Sequence, residues 1–189
     1  MRVTKAELYN KYYSAPVNLY RGDTQMPNHC HNRVTFYAAG TSEESADQIA
    51  KLKKIFEDEN CFTQIIPEPD WLNTPLMSSD VRRYSFSEPK GKVGELPQYV
   101  DTQYGKSLRF RSTDQIDDRW YDWRLCNWDT KWDAYDVEVT DDDPDCTEIE
   151  FNTAWSPPEA ICNQIREDYP AVSVSWFYDE PGCEIAGYL

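Results

Sequence analysis

The chain has 189 residues, 40% of them hydrophobic, which suits one domain with an insertion and exceeds what a disordered chain carries. No apolar run approaches the ~20 residues of a membrane span. The opening "MRVTKAELYNKYYSAP" lacks the continuous apolar core of a secretory signal, so a soluble, cytoplasmic protein is expected. The net charge of −15 is lopsided: residues 1–112 hold 15 Lys/Arg against 14 Asp/Glu, and residues 113–189 hold 4 against 20. Such a field repels phosphate backbones and favours cationic partners, although solubility alone is the simpler use of an acidic surface.

In chain order, residues 1–25 read as an N-terminal extension with Tyr9, Tyr12 and Tyr13 as docking candidates. "RVTFYAA" (33–39) alternates as a strand does, with Val34, Phe36 and Ala38 on one face and Arg33, Thr35 and Tyr37 on the other. "GTSEESADQIAKLKKIFEDEN" predicts a helix: Thr41 and Glu44 fit a capping box, and Ala46, Ile49, Leu52 and Phe56 form a stripe. Ile65–Ile66 read as a short strand before Pro67, Pro69 and Pro75 forbid regular structure. Residues 68–112 read as a long, partly ordered insertion. Its Arg82, Arg83, Lys90, Lys92, Lys106, Arg109 and Arg111 are candidates for a positive patch, against the simpler reading of a solvated loop.

"STDQIDDRWYDWRLCNWDTK" predicts a helix through Ile116, Trp120, Trp123 and Asn127, with Asp114, Asp117 and Asp118 suiting its dipole. Trp132, Tyr135, Val137 and Val139 open a strand. Across "TDDDPD", "TEIEFNTAW" (147–155) alternates, with Ile149, Phe151, Thr153 and Trp155 inward and Glu148, Glu150 and Asn152 outward. In "WSPPEAICNQIREDYP" Ser156 reads as the N-cap, Pro157 as the first helical residue and Glu159 as the capping-box partner, with Trp155 stapled onto Ala160. "AVSVSWFYDEPG" is a strand with Val172, Val174, Trp176 and Tyr178 on one face, and "CEIAGYL" adds an edge strand. Without the excursion the order is βαββαβ, an α+β, ferredoxin-like antiparallel sheet with helices on one face, spanning residues 26–189.

Six scattered cysteines without a C-x-x-C pair read as reduced thiols. "HCH" (29–31) lacks the second ligand cluster of a zinc site, so no metal is assigned. The run Asp141, Asp142, Asp143, Asp145 lacks the glycine and terminal glutamate of a calcium loop. No P-loop, dinucleotide fingerprint or nucleophile elbow is present, so neither a cofactor nor a catalytic residue is assigned, and a hydrolase or nuclease ranks third among the readings.

The stretches "MPNHCHNRVTFYAAG", "IIPEPDWL", "NWDTKWDA", "FNTAWSPPE" and "YDEPGCEIAG" resemble the YubB ferredoxin-like domain family of bacteriophages and plasmids over residues 26–189. His29 stands where that pattern has Trp, and Asp129 where it has Gly. The resemblance implies a fold and a mobile-element setting and no reaction. The leading functional reading is a non-catalytic accessory protein that binds a basic host protein through Asp136, Glu138, Asp141, Asp142, Asp143, Glu148 and Glu150, in the manner of a DNA mimic. The runner-up is a nucleic-acid accessory protein using residues 82–111. The usual RNA-binding mode of such sheets, aromatic stacking on the open face, is opposed by the glutamates that share the face with Tyr37 and Phe177. Asn127, Trp128, Lys131 and Trp132 are either a packed corner or a recognition corner, since tryptophan pairs serve both.

Overall fold

Alternation on the strands and helical periodicity between them bury two faces that only each other can cover. In the computed structural model, which describes residues 28–40, 43–81, 90–102 and 105–189, they do so as a five-stranded antiparallel sheet under two main helices. Strand β1 (His29–Ala38) is central, followed by helix α1 (Glu43–Glu57). The hairpin β4 (Tyr135–Asp143) and β5 (Cys146–Ala154) comes later, then α5 (Glu159–Asp168), β6 (Val172–Glu180) and β7 (Ile185–Tyr188). The sheet order is β4-β5-β1-β6-β7. Each βαβ unit therefore skips one position, and the skipped strand fills the gap antiparallel to both neighbours. The expected Tyr9, Tyr12 and Tyr13 docking residues, the Thr41 cap and the basic pair Arg82 and Arg83 lie outside the described residues.

The core is a chain of aromatic rings. Phe56 on α1 meets Phe36, Phe151 and Trp176 at centroid distances of 5.9, 5.3 and 6.3 Å. Phe62 continues the chain to Trp128 at 5.8 Å. Asn32 is buried among them with every polar atom used: its Oδ1 accepts the Trp176 indole N–H, and its Nδ2 donates to the Cys30 carbonyl and the Thr153 hydroxyl. A fully paired polar group of this kind fixes one packing arrangement, because any slip leaves it buried and unpaired.

Between α1 and β4 the chain makes its excursion. Cys61–Ile65 is a short helix, α2, and not the strand expected at Ile65–Ile66. Asn60 in the left-handed region (φ 61°) breaks α1, and the Asp133 carboxylate accepts the Phe62 N–H at the new start. Helix α3 (Ser78–Val81), the hairpin β2 (Gln98–Thr102) and β3 (Gly105–Arg109), and helix α4 (Arg119–Asn127) follow. This region is organised around one buried cation. Arg119, 4% exposed, pairs with Asp117 at 2.8 Å and donates to the carbonyls of Thr74, Pro75 and Trp71. Its guanidinium also lies 5.1 Å from the Trp71 ring centroid and 5.5 Å from that of Phe110. The helix expected from Ser112 onward therefore starts only at Arg119: Asp117 is the ion-pair partner, Asp114 sits at φ 57°, and Ile116 is an exposed bridge residue.

The "EPG" turn closes the sheet. Buried Glu180 accepts the Cys183 N–H through Oε2, while its Oε1 has no hydrogen-bond partner among the described residues. Gly182 lets the Asn28 and Glu180 side chains close over the turn, since a Cβ there would stand 2.3 Å from Asn28 Nδ2 and 2.9 Å from Glu180 Oε1 and both side chains would have to shift.

The inward row expected on β5 needs one correction, at Trp155. Trp176, Phe36, Phe151, Ile161 and Ile165 are buried together, but Trp155 is 38% exposed and Trp128 takes the interior place instead. Trp155 sits at φ 74°, so the alternation of β5 ends one residue before it and the ring turns outward. Trp176→Ala should therefore destabilise by about 3–5 kcal/mol. Trp155→Ala should cost only about 0.5–1 kcal/mol, as exposed positions do. Urea melts of the two variants check the contrast. All six cysteines are free. Burial raises the thiols of Cys30, to about 12, and of Cys162, to about 11, and raises Cys61 further. A colorimetric thiol reagent at neutral pH should react fast with exposed Cys126 and Cys183, and with Cys30, Cys61 and Cys162 only after denaturation.

Candidate functional site: the open sheet face and its tryptophan corner

The helices cover one face of the sheet, and the other carries the outward row of every strand. On β1 that row is His29, His31, Arg33, Thr35 and Tyr37, alternating with buried Cys30, Asn32, Val34 and Phe36. On β5 it is Glu148, Glu150 and Asn152, between buried Thr147, Ile149, Phe151 and Thr153. The register places Glu138 opposite Glu150 and Asp141 opposite Glu148, so two like-charge pairs face each other across β4 and β5. Such pairs oppose sheet formation. The Thr140 and Thr35 hydroxyls soften one of them by donating to Glu148, and His31 Nε2 lies 3.7 Å from Glu150 in the other. Arg33 reaches across the face to lie 5.5 Å from the Phe177 centroid.

Three of the seven acidic candidates belong to the tip or to a bulge. Asp136 lies in the left-handed region (φ 54°) at a register shift, where Asn152 Nδ2 donates to its carboxylate. Asp143 lies in the tip and accepts the Asp145 N–H. Asp142 is a correction: a second register shift puts it opposite Thr147 on the helix side, where it pairs with Lys53 of α1 at 2.6 Å. Among the described residues no group of three or more His, Cys, Asp or Glu could hold a metal ion.

The basic insertion is partly neutralised where it is described. Lys90 pairs with Asp118, and Arg109 with Asp114 at 3.2 Å. Lys92 and Arg111 border a shallow cavity of about 460 Å³, but its wall is the Glu95 carboxylate. The Ser112 hydroxyl and the Lys92 and Ser112 N–H groups hold Glu95 below the usual carboxylate range, so it stays charged and opposes phosphate there.

At the end of the open face stands the corner "NWDTKW". Asn127 donates to the Trp123 carbonyl and ends α4. Trp128 is wholly buried, and its indole N–H donates to the Ile66 carbonyl. Asp129, at φ 63°, adopts the left-handed turn that a glycine would give most freely. Its carboxylate earns the strain by accepting the Ala160 N–H at 2.9 Å, capping α5 from a distant part of the chain. Ser156, expected to be that cap, instead donates its hydroxyl to the Asp129 carbonyl, and α5 begins at Glu159 without a local side-chain cap. Thr130, buried, donates to the Ala154 carbonyl.

Lys131 and Trp132 have no comparable structural task. Lys131 Nζ lies 4.4 Å from the Trp132 centroid and 5.9 Å from that of Trp155. Trp132 packs edge-on against Tyr135, whose hydroxyl is 2.5 Å from His29 Nδ1. The four residues proposed from sequence thus divide into two structural ones, Asn127 and Trp128, and two surface ones, Lys131 and Trp132. Trp155, Tyr135 and His29 join the surface pair without having been foreseen. The only hint was that Trp155 ends a strand directly before Ser-Pro-Pro.

The model of the ferredoxin-like domain in Api92-like proteins matches residues 127–189, from the corner to the end of the chain. The core is a ferredoxin-like domain. The solved structure of Api92 from Yersinia pseudotuberculosis aligns with 86% of this chain and 93% of its own, at 10% identity and a TM-score of 0.41. A search of curated proteins finds no match. Among the described residues no helix of the ferredoxin-like domain or its insertion is long and apolar enough to cross a membrane.

The Asp129 cap makes a direct prediction. Asp129→Ala should lose the cap and keep the left-handed strain, costing about 1–2 kcal/mol. Asp129→Gly should lose the cap alone and cost less. Chemical denaturation of both variants measures the ordering, and equal losses would contradict the division between cap and strain.

Proposed function

We propose that this is a non-catalytic accessory protein of the YubB-like kind, encoded by a phage or plasmid, that binds a basic host protein through the open face of its sheet. One observation carries the reading: Glu138 opposes Glu150, and Asp141 opposes Glu148, on a face that no described helix covers. The fold gains nothing from facing like charges, and a cationic partner would relieve them. The carboxylate rows would stand in for nucleic-acid phosphates, which makes the binding resemble DNA mimicry. The imbalance of 20 acidic against 4 basic residues in 113–189 supports the same sign of partner. The reading that uses the basic insertion is weaker, since Lys90 and Arg109 are already paired with aspartates.

The test is a pull-down from bacterial lysate at low and high salt, followed by kinetics with the recovered partner. Capture should fail as salt rises, because exposed charges act over a Debye length of only about 8 Å at physiological ionic strength. Replacing Glu148 and Glu150 together by Gln should slow association by about tenfold and leave dissociation nearly unchanged. Unfolding should shift by no more than about 0.5 kcal/mol. A double variant that associates as fast as wild type would sink the proposal.

A further inference from the structure

We propose that Lys131, Trp132 and Trp155 form a surface patch that binds a carboxylate carried on a flat apolar group, such as an aromatic acid or the C-terminal residue of a polypeptide. This site is separate from the acidic rows and takes a ligand of opposite charge, so either can fail without the other.

The argument starts from what the corner does not need for folding. Trp128, Asp129, Thr130 and Ser156 hold the turn against α5 and the end of β5. Lys131, Trp132 and Trp155 take no part in that lock, yet two large rings stay partly open to solvent, at 36% and 38% exposure. The backbone that presents them is strained on both sides, with Asp129 at φ 63° and Trp155 at φ 74°. A bulky aromatic residue in the left-handed region is a genuine outlier, and such outliers gather at ligand-binding positions.

The sign of the ligand follows from the ammonium. Lys131 is half-buried and touches two π faces, and among the described residues no carboxylate lies within ion-pair distance of it. Burial lowers its pKa, and among the described residues no acidic neighbour offsets the lost hydration. An arriving anion supplies the missing counter-charge. An arriving cation finds the position over the Trp132 ring already filled. A single carboxylate suits the surroundings better than a phosphate chain, because Asp136 and Glu138 stand on the adjacent strand and a polyanion meets the full negative field. The exposed parts of the two rings define the rest of the ligand: a planar or apolar group packs against the ring surface that Lys131 leaves open.

The experiment uses the full chain, with the indole N–H resonances of Trp132 and Trp155 assigned through Trp→Phe variants. N-acetylphenylalanine should shift both signals saturably, and its neutral amide should bind at least tenfold more weakly. Lys131→Gln should abolish the preference for acid over amide, and Lys131→Arg should restore much of it. Trp132→Phe should weaken binding several-fold while keeping the preference. A tetrapeptide ending in Phe with a free carboxylate, compared with N-acetylphenylalanine, separates the two sources: tighter peptide binding assigns a polypeptide terminus, and equal or weaker binding a small aromatic acid. Equal binding of acid and amide, stronger binding of phenethylamine, or wild-type affinity in Lys131→Gln would overturn the proposal. Should Lys131→Gln fail to fold, the comparison of acid with amide on the wild-type chain decides alone.

Discussion

The turn at Asp129 is the constraint on which the rest of the molecule depends. One carboxylate, placed by a left-handed backbone, caps a helix that begins 30 residues later, while the same residue's carbonyl accepts the Ser156 hydroxyl and the Thr130 hydroxyl beside it donates to the end of β5. Three chain segments that share no local sequence meet there: the exit of the insertion, the end of a strand and the start of a helix. Their mutual hydrogen bonds satisfy backbone groups that would otherwise be orphaned at the helix start. With the corner set, Trp128 has one place to go, which is under Phe62 and into the core. Trp132 and Trp155 are left on the outside.

A second, independent device orders the excursion. It contributes few residues to the main core, so apolar burial alone would leave it loosely held. The buried Arg119 does what a small core would do: it collects Asp117, three carbonyls and two aromatic faces around one planar group. A buried ion pair is weak as a source of stability, because desolvation offsets its attraction. It is strong as a constraint, because a chain that breaks the arrangement strands a charge. Arg124, held by Glu68 and stacked over Trp128, ties that excursion to the core by the same logic.

The open face that results carries two chemistries side by side. Carboxylates in facing rows belong to β4 and β5, and an ammonium between tryptophans stands at their end. Both proposals are recognition readings, and they differ in the charge they select. Their proximity means that a single partner could use both, placing cations along the strands and an anion at the corner.

The alternation of β1, β5 and β6, the amphipathic stripe of α1, and hence the βαββαβ order are legible in the residues alone, because strand and helix periods are local properties of side-chain spacing. The lopsided charge of the C-terminal half is equally plain in the sequence, whereas the left-handed turn at Asp129 was hinted at only by an Asp standing where the resembling pattern has Gly. What the sequence does not show are the places where a distant group replaces a local one. Ser156 has every mark of an N-cap, yet Asp129 does that work from across the chain. Asp117 suits a helix dipole, yet it pairs with Arg119. Asp142 alternates with its neighbours, yet a bulge turns it to Lys53. Trp155 continues the β5 pattern, yet a positive φ turns it out. In each case the local preference was real but worth about a kilocalorie, and a tertiary hydrogen bond, ion pair or close-packed ring of similar or greater worth decided the outcome.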